Sequence, residues 1–337
     1  MLLKRIKGKL SLIKNCYLFS KQDGYYNELE RKTRHQRFKD LWKWARKWKE
    51  FNGFYYVYGL DVKGSNIDDY LGYSYMKKIR DERNNVQSCE SHAFLLRNKF
   101  YFSIAADYYK FPIPQTLGIY KNGVLYDNKN NEITINQLEK TSFILKDVTG
   151  LCGQSVFKIK NLEEFQTWMN ENKKGQFLLQ ELITQHHLIS KVNEKAVNTV
   201  RIVTKKNHDG KCEVVFAVFR VGTSKSNFVD NWAQGGLMIP INVENGKLTK
   251  YGFYKPPYGG KATEHPDSGV VFEDYQIPYF EEAKQLVCKF HECLDLYSIG
   301  WDIAITENGP VFVEGNDNWD LAFGQITCKN FKDKLWK

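Results

Sequence analysis

Apolar side chains at Leu2, Leu3, Ile6, Leu10 and Ile13 recur at helical spacing, with Lys4, Arg5, Lys7 and Lys14 largely off that stripe. Residues 1–14 are therefore expected to form a cationic amphipathic helix, able to lie on an anionic membrane surface or to pack on its own domain. A second stripe, Phe38, Leu41, Trp42, Ala45 and Trp48, has Arg37, Lys43, Arg46, Lys47 and Lys49 on its other side. Interleaved aromatic and basic residues are one way to bind nucleic acid, but a packed face with solvated lysines behind it is the preferred reading. Residues 51–90 are polar and tyrosine-rich, punctuated by Gly53, Gly59, Gly64 and Gly72. With no dominant period they read as a connecting or small helical region.

From His92 onward the pattern changes to helices alternating with β-branched or aromatic strands and short Gly, Asn or Asp turns. It predicts a helix near 98–110, a stop at Pro112-Ile113-Pro114, and strands near 115–120, 142–146 and 155–158. A helix over 162–172 leads to a strand at 176–180; two long hairpins follow, separated by a loop-rich stretch and a helix at 279–295. Helices mixed with hairpins in this way imply an α+β fold with antiparallel sheets rather than a doubly wound one.

Charge changes the picture only at the N-terminus. The 337 residues carry a net charge of +10, and residues 1–50, with 15 basic and 5 acidic side chains, account for all of it. A neutral body with a cationic arm is not a uniformly basic nucleic-acid binder, and no nucleic-acid partner is expected. With 42% apolar and 26% charged residues, the composition excludes disorder. Seven cysteines without a CxxC pair read as reduced, mostly buried thiols of a cytoplasmic protein. Lys7, Lys9 and Lys14 interrupt the apolar stretch a secretory leader requires, and no run is long enough to span a membrane.

Three segments carry candidate chemistry. The segment 299–316 reads as two apolar strands around Asn308-Gly309, with acids at its far end. Strand alternation points Glu314 and Asn316 the same way. A two-residue Asn308-Gly309 turn would pair 302 with 315 and send Asp302 to the opposite face. A three-residue Glu307-Asn308-Gly309 loop would pair 302 with 314 and gather Asp302, Glu314 and Asn316, and this register is the expected one. Two carboxylates and an amide oxygen on rigid strands suit Mg²⁺; polar residues at the solvated end of a hairpin are the plainer alternative. In Asn198-Thr199-Val200-Arg201-Ile202-Val203-Thr204 and the strand after Asn207-His208-Asp209-Gly210, Arg201 and Arg220 fall on one face. They call for a phosphate or carboxylate ligand, or for an internal acid. Finally, a strand ending at Lys146 opens into Asp147-Val148-Thr149-Gly150-Leu151-Cys152-Gly153-Gln154-Ser155, whose backbone N–H groups could close over phosphates. This is neither GxxxxGK[ST] nor GxGxxG.

In combination these segments resemble the ATP-grasp superfamily, in particular the sugar-transfer-associated ATP-grasp proteins found with bacterial polysaccharide genes. The similarity runs from about residue 91 to 325, carried by 198–204, by Asp230-Asn231 with Gly235-Gly236, and by Gly300-Trp301-Asp302 to Glu314-Gly315-Asn316. The resemblance implies ATP held between two α+β subdomains, 91–183 and 184–330, preceded by the basic helical region 1–50 and the connecting region 51–90. Lys99 and Lys146 are then the phosphate-binding lysines, and the loop with Gly150, Gly153 and Ser155 the phosphate cover. Gln180, Glu181 and Ile183 form the hinge that reads adenine, and His187, with His186 as rival, contacts ribose. Asp302, Glu314 and Asn316 match the Mg²⁺ ligands. Arg201 faces the γ-phosphate, and Arg220, Asp230, Asn231, Gly235, Gly236 and His265 fall on the acceptor side.

Joining a carboxylate to an amine near neutral pH needs activation, which phosphoryl transfer from ATP supplies through charge neutralisation and alignment. The resemblance thus implies a ligase that uses ATP and Mg²⁺ and joins an amino acid or other amine to a carboxylate-bearing sugar through an acyl phosphate. A sugar or small-molecule kinase, and a nucleotide-binding adaptor at the membrane surface, are the alternatives. The expected location is the cytoplasm, with the arm touching the inner face of the membrane.

Overall fold

The computed structural model describes residues 2–150, 155–226, 230–328 and 330–336, with residues 2–10 described by their backbone alone. Helices α1 (Leu2–Phe19), α2 (Arg34–Trp48) and α3 (Tyr73–Arg83) come first, then α4 (Ala93–Arg97) and α5 (Lys99–Tyr108). A capping box between Thr33 and Gln36 starts α2, and Lys49 in the left-handed conformation ends it. The stripe seen in the sequence is a packed face, with Leu41 and Ala45 buried and Phe38, Trp42 and Trp48 partly so, and Trp44, outside the stripe, is buried as well.

Strands β1 (Thr116–Lys121), β2 (Val124–Tyr126), β3 (Phe143–Asp147) and β4 (Val156–Ile159) are followed by helix α6 (Leu162–Glu171) and strand β5 (Gln176–Gln180). They form an antiparallel sheet of order β2-β1-β5-β3-β4. Phe165 and Trp168 of α6 cover one face, packing on Leu145, Phe177 and Leu179. Ile119, Val148 and Leu178, with Phe100 against them, form a smaller apolar patch apart from that core.

Helix α7 (His187–Val192) leads into β6 (Thr199–Lys206), β7 (Cys212–Val221), β8 (Leu237–Ile241), β9 (Gly252–Tyr254) and β10 (Lys261–Ala262). Helix α8 (Phe280–Glu292), the hairpin β11 (Ser298–Thr306) and β12 (Gly309–Asn316), and helices α9 (Leu321–Thr327) and α10 (Phe331–Trp336) complete the chain. The second sheet is antiparallel, of order β10-β9-β8-β7-β6-β11-β12. Its strands alternate between two cores. Val200, Ile202, Phe219, Trp301 and Ile303 meet α8 and the short α4 and α5 on one face, while Val203, Phe216 and Val218 meet the N-terminal helices and α9 on the other.

Residues 51–90 are not merely a connection. Tyr55, Val57 and Leu60 are fully buried in the second of these cores. They escape periodicity because residues 53–60 form consecutive turns rather than a helix or strand. The thiols are less buried than expected: among the described cysteines only Cys16 is buried, Cys89 is exposed and four are half-buried. Two of those four, Cys288 and Cys293, lie on α8 or at its end. No helix among the described residues is long and apolar enough to cross a membrane.

Candidate active site

The acids stand on the β11–β12 hairpin. Thr306 pairs with Gly309, so the loop is Glu307-Asn308, one residue shorter than expected, and Gly309 opens the strand at φ 114°. The ladder then slips by one residue, so Ile303 faces Phe312 but Asp302 faces Glu314. A bulge at Val313 therefore delivers the expected pairing by a different route and puts Asp302, Glu314 and Asn316 on one face. Asn316 Nδ2 donates to Glu314 Oε1 at 3.2 Å.

On the other side of β11, β6 sets Arg201 directly across from Asp302. Arg201 Nε donates to Asp302 Oδ1 and Nη2 to Oδ2 at 2.7 Å, and Arg220 Nη1 reaches Oδ2 at 2.9 Å. Arg220 also donates to Asp230 Oδ1 at 3.2 Å, and the Thr199 hydroxyl donates to the same carboxylate. The arginine pair thus has its internal acid: Asp302, 3% exposed, is shared by two guanidiniums. Burial pushes the Asp302 carboxyl up, but Arg201 and Arg220 outweigh it and hold it well below the usual carboxylate range. Glu314 moves the other way, raised by burial and then by the charge of Asp302. Burial likewise raises Asp230 against the pull of Arg220.

The first sheet supplies Lys146, and helix α5 supplies Lys99. Lys146 lies beside Leu178 in the sheet and is 9% exposed. Burial lowers its ammonium to about 8, with Glu314 opposing the shift and Lys99 adding to it. Lys99 opens α5 behind the Asn98 cap; its backbone N–H donates to Val148 O at 2.8 Å and its Nζ to Gly150 O. The loop after β3 is thereby clipped to α5. Ser155 O accepts from Asp147 N–H at 3.0 Å, and Gly153 lies outside the described residues. Gln180 Nε2 donates to Pro114 O, Glu181 N–H donates to Gln115 O, and Ile183 sits in the coil 181–186 joining the two sheets.

Other expected residues are placed elsewhere. His187 is held at the hairpin turn, its N–H and Nδ1 both within 2.9 Å of Glu307 Oε1. His186 Nδ1 accepts from Leu188 N–H, which leaves the ring proton on Nε2, 3.4 Å from Glu307 Oε2. That proton closes Nε2 to a metal, although His186, His187 and Glu307 cluster closely enough to suggest one. His265 is 1% exposed, with Nε2 on Gly222 O and Nδ1 taken by Ser268. The chain itself uses both ring nitrogens, so His265 braces a loop instead of facing an acceptor. Asn231 caps the turn that follows it, and Gly236 lets that turn approach β7: a Cβ there would sit 3.0 Å from Val221 O. These residues shape the loop that carries Asp230.

Two contributors have no local signal in the sequence. Arg97 grips Asp317 at 2.6 Å, tying the end of β12 to the helix before Lys99. Trp232 stacks on Phe54, with ring centroids 6.1 Å apart and planes 12° from parallel, joining the N-terminal region to the Asp230 loop.

Two antiparallel sheets, with the buried Lys146 on one and a buried carboxylate and arginine cluster on the other, define an α+β protein whose charged side chains suit anions and hard cations. Residues 169–332 match the family model described as sugar-transfer associated ATP-grasp. No curated protein matches the chain. Solved structures similar to it include N5-carboxyaminoimidazole ribonucleotide synthetase from Thermotoga maritima, at 13% identity over 74% of this chain and 49% of that one, with TM-score 0.39. A RimK domain protein ATP-grasp from Sphaerobacter thermophilus is similar at 13% identity over 72% and 69%, TM-score 0.41. D-Alanine-D-alanine ligase from Helicobacter pylori is similar at 12% over 72% and 59%, TM-score 0.42. The chain spans about half the length of the first of these.

Proposed function

We propose that this protein is an ATP- and Mg²⁺-dependent carboxylate–amine ligase that joins an amine, such as an amino acid, to a carboxylate-bearing sugar. The observation that carries the reading is the Arg201–Asp302 pair beside Glu314, with Lys146 and Lys99 near enough for their charges and that of Glu314 to influence one another. Lys99 and Lys146 neutralise the phosphate oxygens. Arg201 and Arg220, pre-aligned by Asp302 and Asp230, offer N–H donors to the phosphoryl group in transfer and to the carboxylate that receives it. A phosphate entering there competes with Asp302 for the same donors. The glycine-containing loop after β3 shields the acyl phosphate from water.

The donor set fits a divalent cation. Two carboxylates in contact, one of them raised by the other's charge, gain from a cation between them, and every available donor is oxygen. Glu314 and Asn316, with Asp302, would hold Mg²⁺, which supplies charge neutralisation at the phosphates. The cationic α1 would keep the enzyme near an anionic surface where a lipid-linked sugar resides.

The test is mass spectrometry with phosphorus NMR on protein incubated with Mg²⁺, ATP, and panels of amino acids, uronic acids and nucleotide-linked sugars. ADP and phosphate formed only when carboxylate and amine are both present, with a product lighter by one water, supports the ligase. ADP with a phosphorylated sugar makes the protein a kinase, and ATP binding without turnover leaves either a substrate outside the panels or an adaptor.

A further inference from the structure

On the face of the second sheet away from the arginine cluster, α8 brings Cys288 against Cys212, the first residue of β7. The two Sγ atoms lie 2.7 Å apart, within about 0.7 Å of a covalent S–S bond. Both thiols are half-buried, so a small reagent reaches them. Cys212 also lies 3.7 Å from His291 Nδ1, whose other nitrogen is tied to Leu296 O. This pair plays no part in the chemistry proposed above. We infer that Cys212 and Cys288 are a thiol–disulfide exchange site, which on reaction with a low-molecular-weight disulfide closes a covalent staple between α8 and β7.

The surroundings give the two sulfurs different parts. Donation from Cys212 lowers the Cys288 thiol, while the same contact, with burial, raises Cys212. Cys288 is therefore the attacking thiolate. It attacks one sulfur of a disulfide RSSR, forming Cys288–S–SR and expelling RS⁻, which takes up a proton. Cys212 then loses its proton and attacks Cys288 Sγ, breaking the mixed disulfide and releasing the second RS⁻. Two thiols are oxidised, one RSSR is reduced to two RSH, and no other oxidant is required. None of the other four described cysteines has a sulfur neighbour: Cys293 Sγ contacts Lys289 O, Cys328 contacts Val215 O and Thr327, Cys89 is exposed, and Cys16 is buried in the N-terminal core.

The experiment incubates the folded full chain, reduced and freed of reductant, with oxidised glutathione, then alkylates it with N-ethylmaleimide under denaturing conditions. Intact mass and peptide mapping read the result. The inference expects both Cys212 and Cys288 to escape alkylation, a crosslinked 212–288 peptide about 2 Da lighter than its reduced parts, and a higher thermal midpoint that dithiothreitol reverses. Cys212→Ser should trap glutathione on Cys288, whereas Cys288→Ser should leave Cys212 unmodified; Cys89→Ser should still form the crosslink. Full alkylation of both thiols, a stable glutathione adduct on Cys288 in the unmodified sequence, or a crosslink between other cysteines would overturn the inference. The crosslink map of the unmodified sequence decides the matter even if a serine variant fails to fold.

Discussion

Asp302 holds two guanidiniums in a buried site, so its charge is a structural part as well as a chemical one. Asp302→Asn leaves Arg201 without its anion and Arg220 with Asp230 alone, and should cost about 3 kcal/mol or more of unfolding free energy, measured by denaturant titration. Glu314→Gln has no such duty. It should keep the fold while lowering turnover at least ~10²-fold, and wild-type activity in this variant would sink the assignment of the site. Lys146 predicts a pH effect. Its folded value of about 8 lies below the ordinary lysine value of about 10.4, so the unfolded chain binds more protons between the two. Stability should therefore rise with pH across that window, while ATP binding, to which the proposed function assigns the ammonium, should weaken as pH passes about 8. Lys146→Arg stays charged and should flatten the binding profile; an unchanged profile would show that another group sets it.

At the scale of elements, β11 works only because its neighbours come close. At Gly300 a Cβ would lie 2.5 Å from Trp319 Cβ and 3.4 Å from Arg201 Cδ, so Gly300→Ala should push both. A loss of roughly 1–3 kcal/mol is expected from the overpacking, with turnover falling further than stability explains. The Asp302–Glu314 pairing is legible in the sequence, but the extra residue that produces it sits in the bulge at Val313 and not, as the hairpin motif suggests, in the loop. Bulges answer to the twist and packing of the whole sheet, which a hairpin motif does not encode. Helix α1 can be tested as a unit: deleting residues 1–14 should reduce binding to anionic vesicles, and the binding should weaken with salt. Equal binding by the shortened protein would remove the membrane reading.

At the scale of the molecule, the N-terminal region covers the sheet face that also carries Arg201 and Arg220, with Tyr55, Val57 and Trp44 packed against Val203, Phe216 and Val218. A protein starting at residue 91 would leave that face bare, and it should aggregate or fail to refold, read by light scattering; a soluble, monomeric, cooperative fragment would contradict this. By itself the sequence determined the antiparallel α+β class, most strands, the single-face grouping of Arg201 with Arg220, and the acids of the hairpin. Those follow from periods of two and 3.6 residues and from turn chemistry, all of which act within a few neighbouring residues. Tertiary structure decided that Asp302 is shared by two arginines, that His265 is a brace, that His187 answers to Glu307, and that Cys212 meets Cys288. Each of these depends on which side chains share a low-dielectric space, and that is set by how distant strands and helices pack rather than by local pattern.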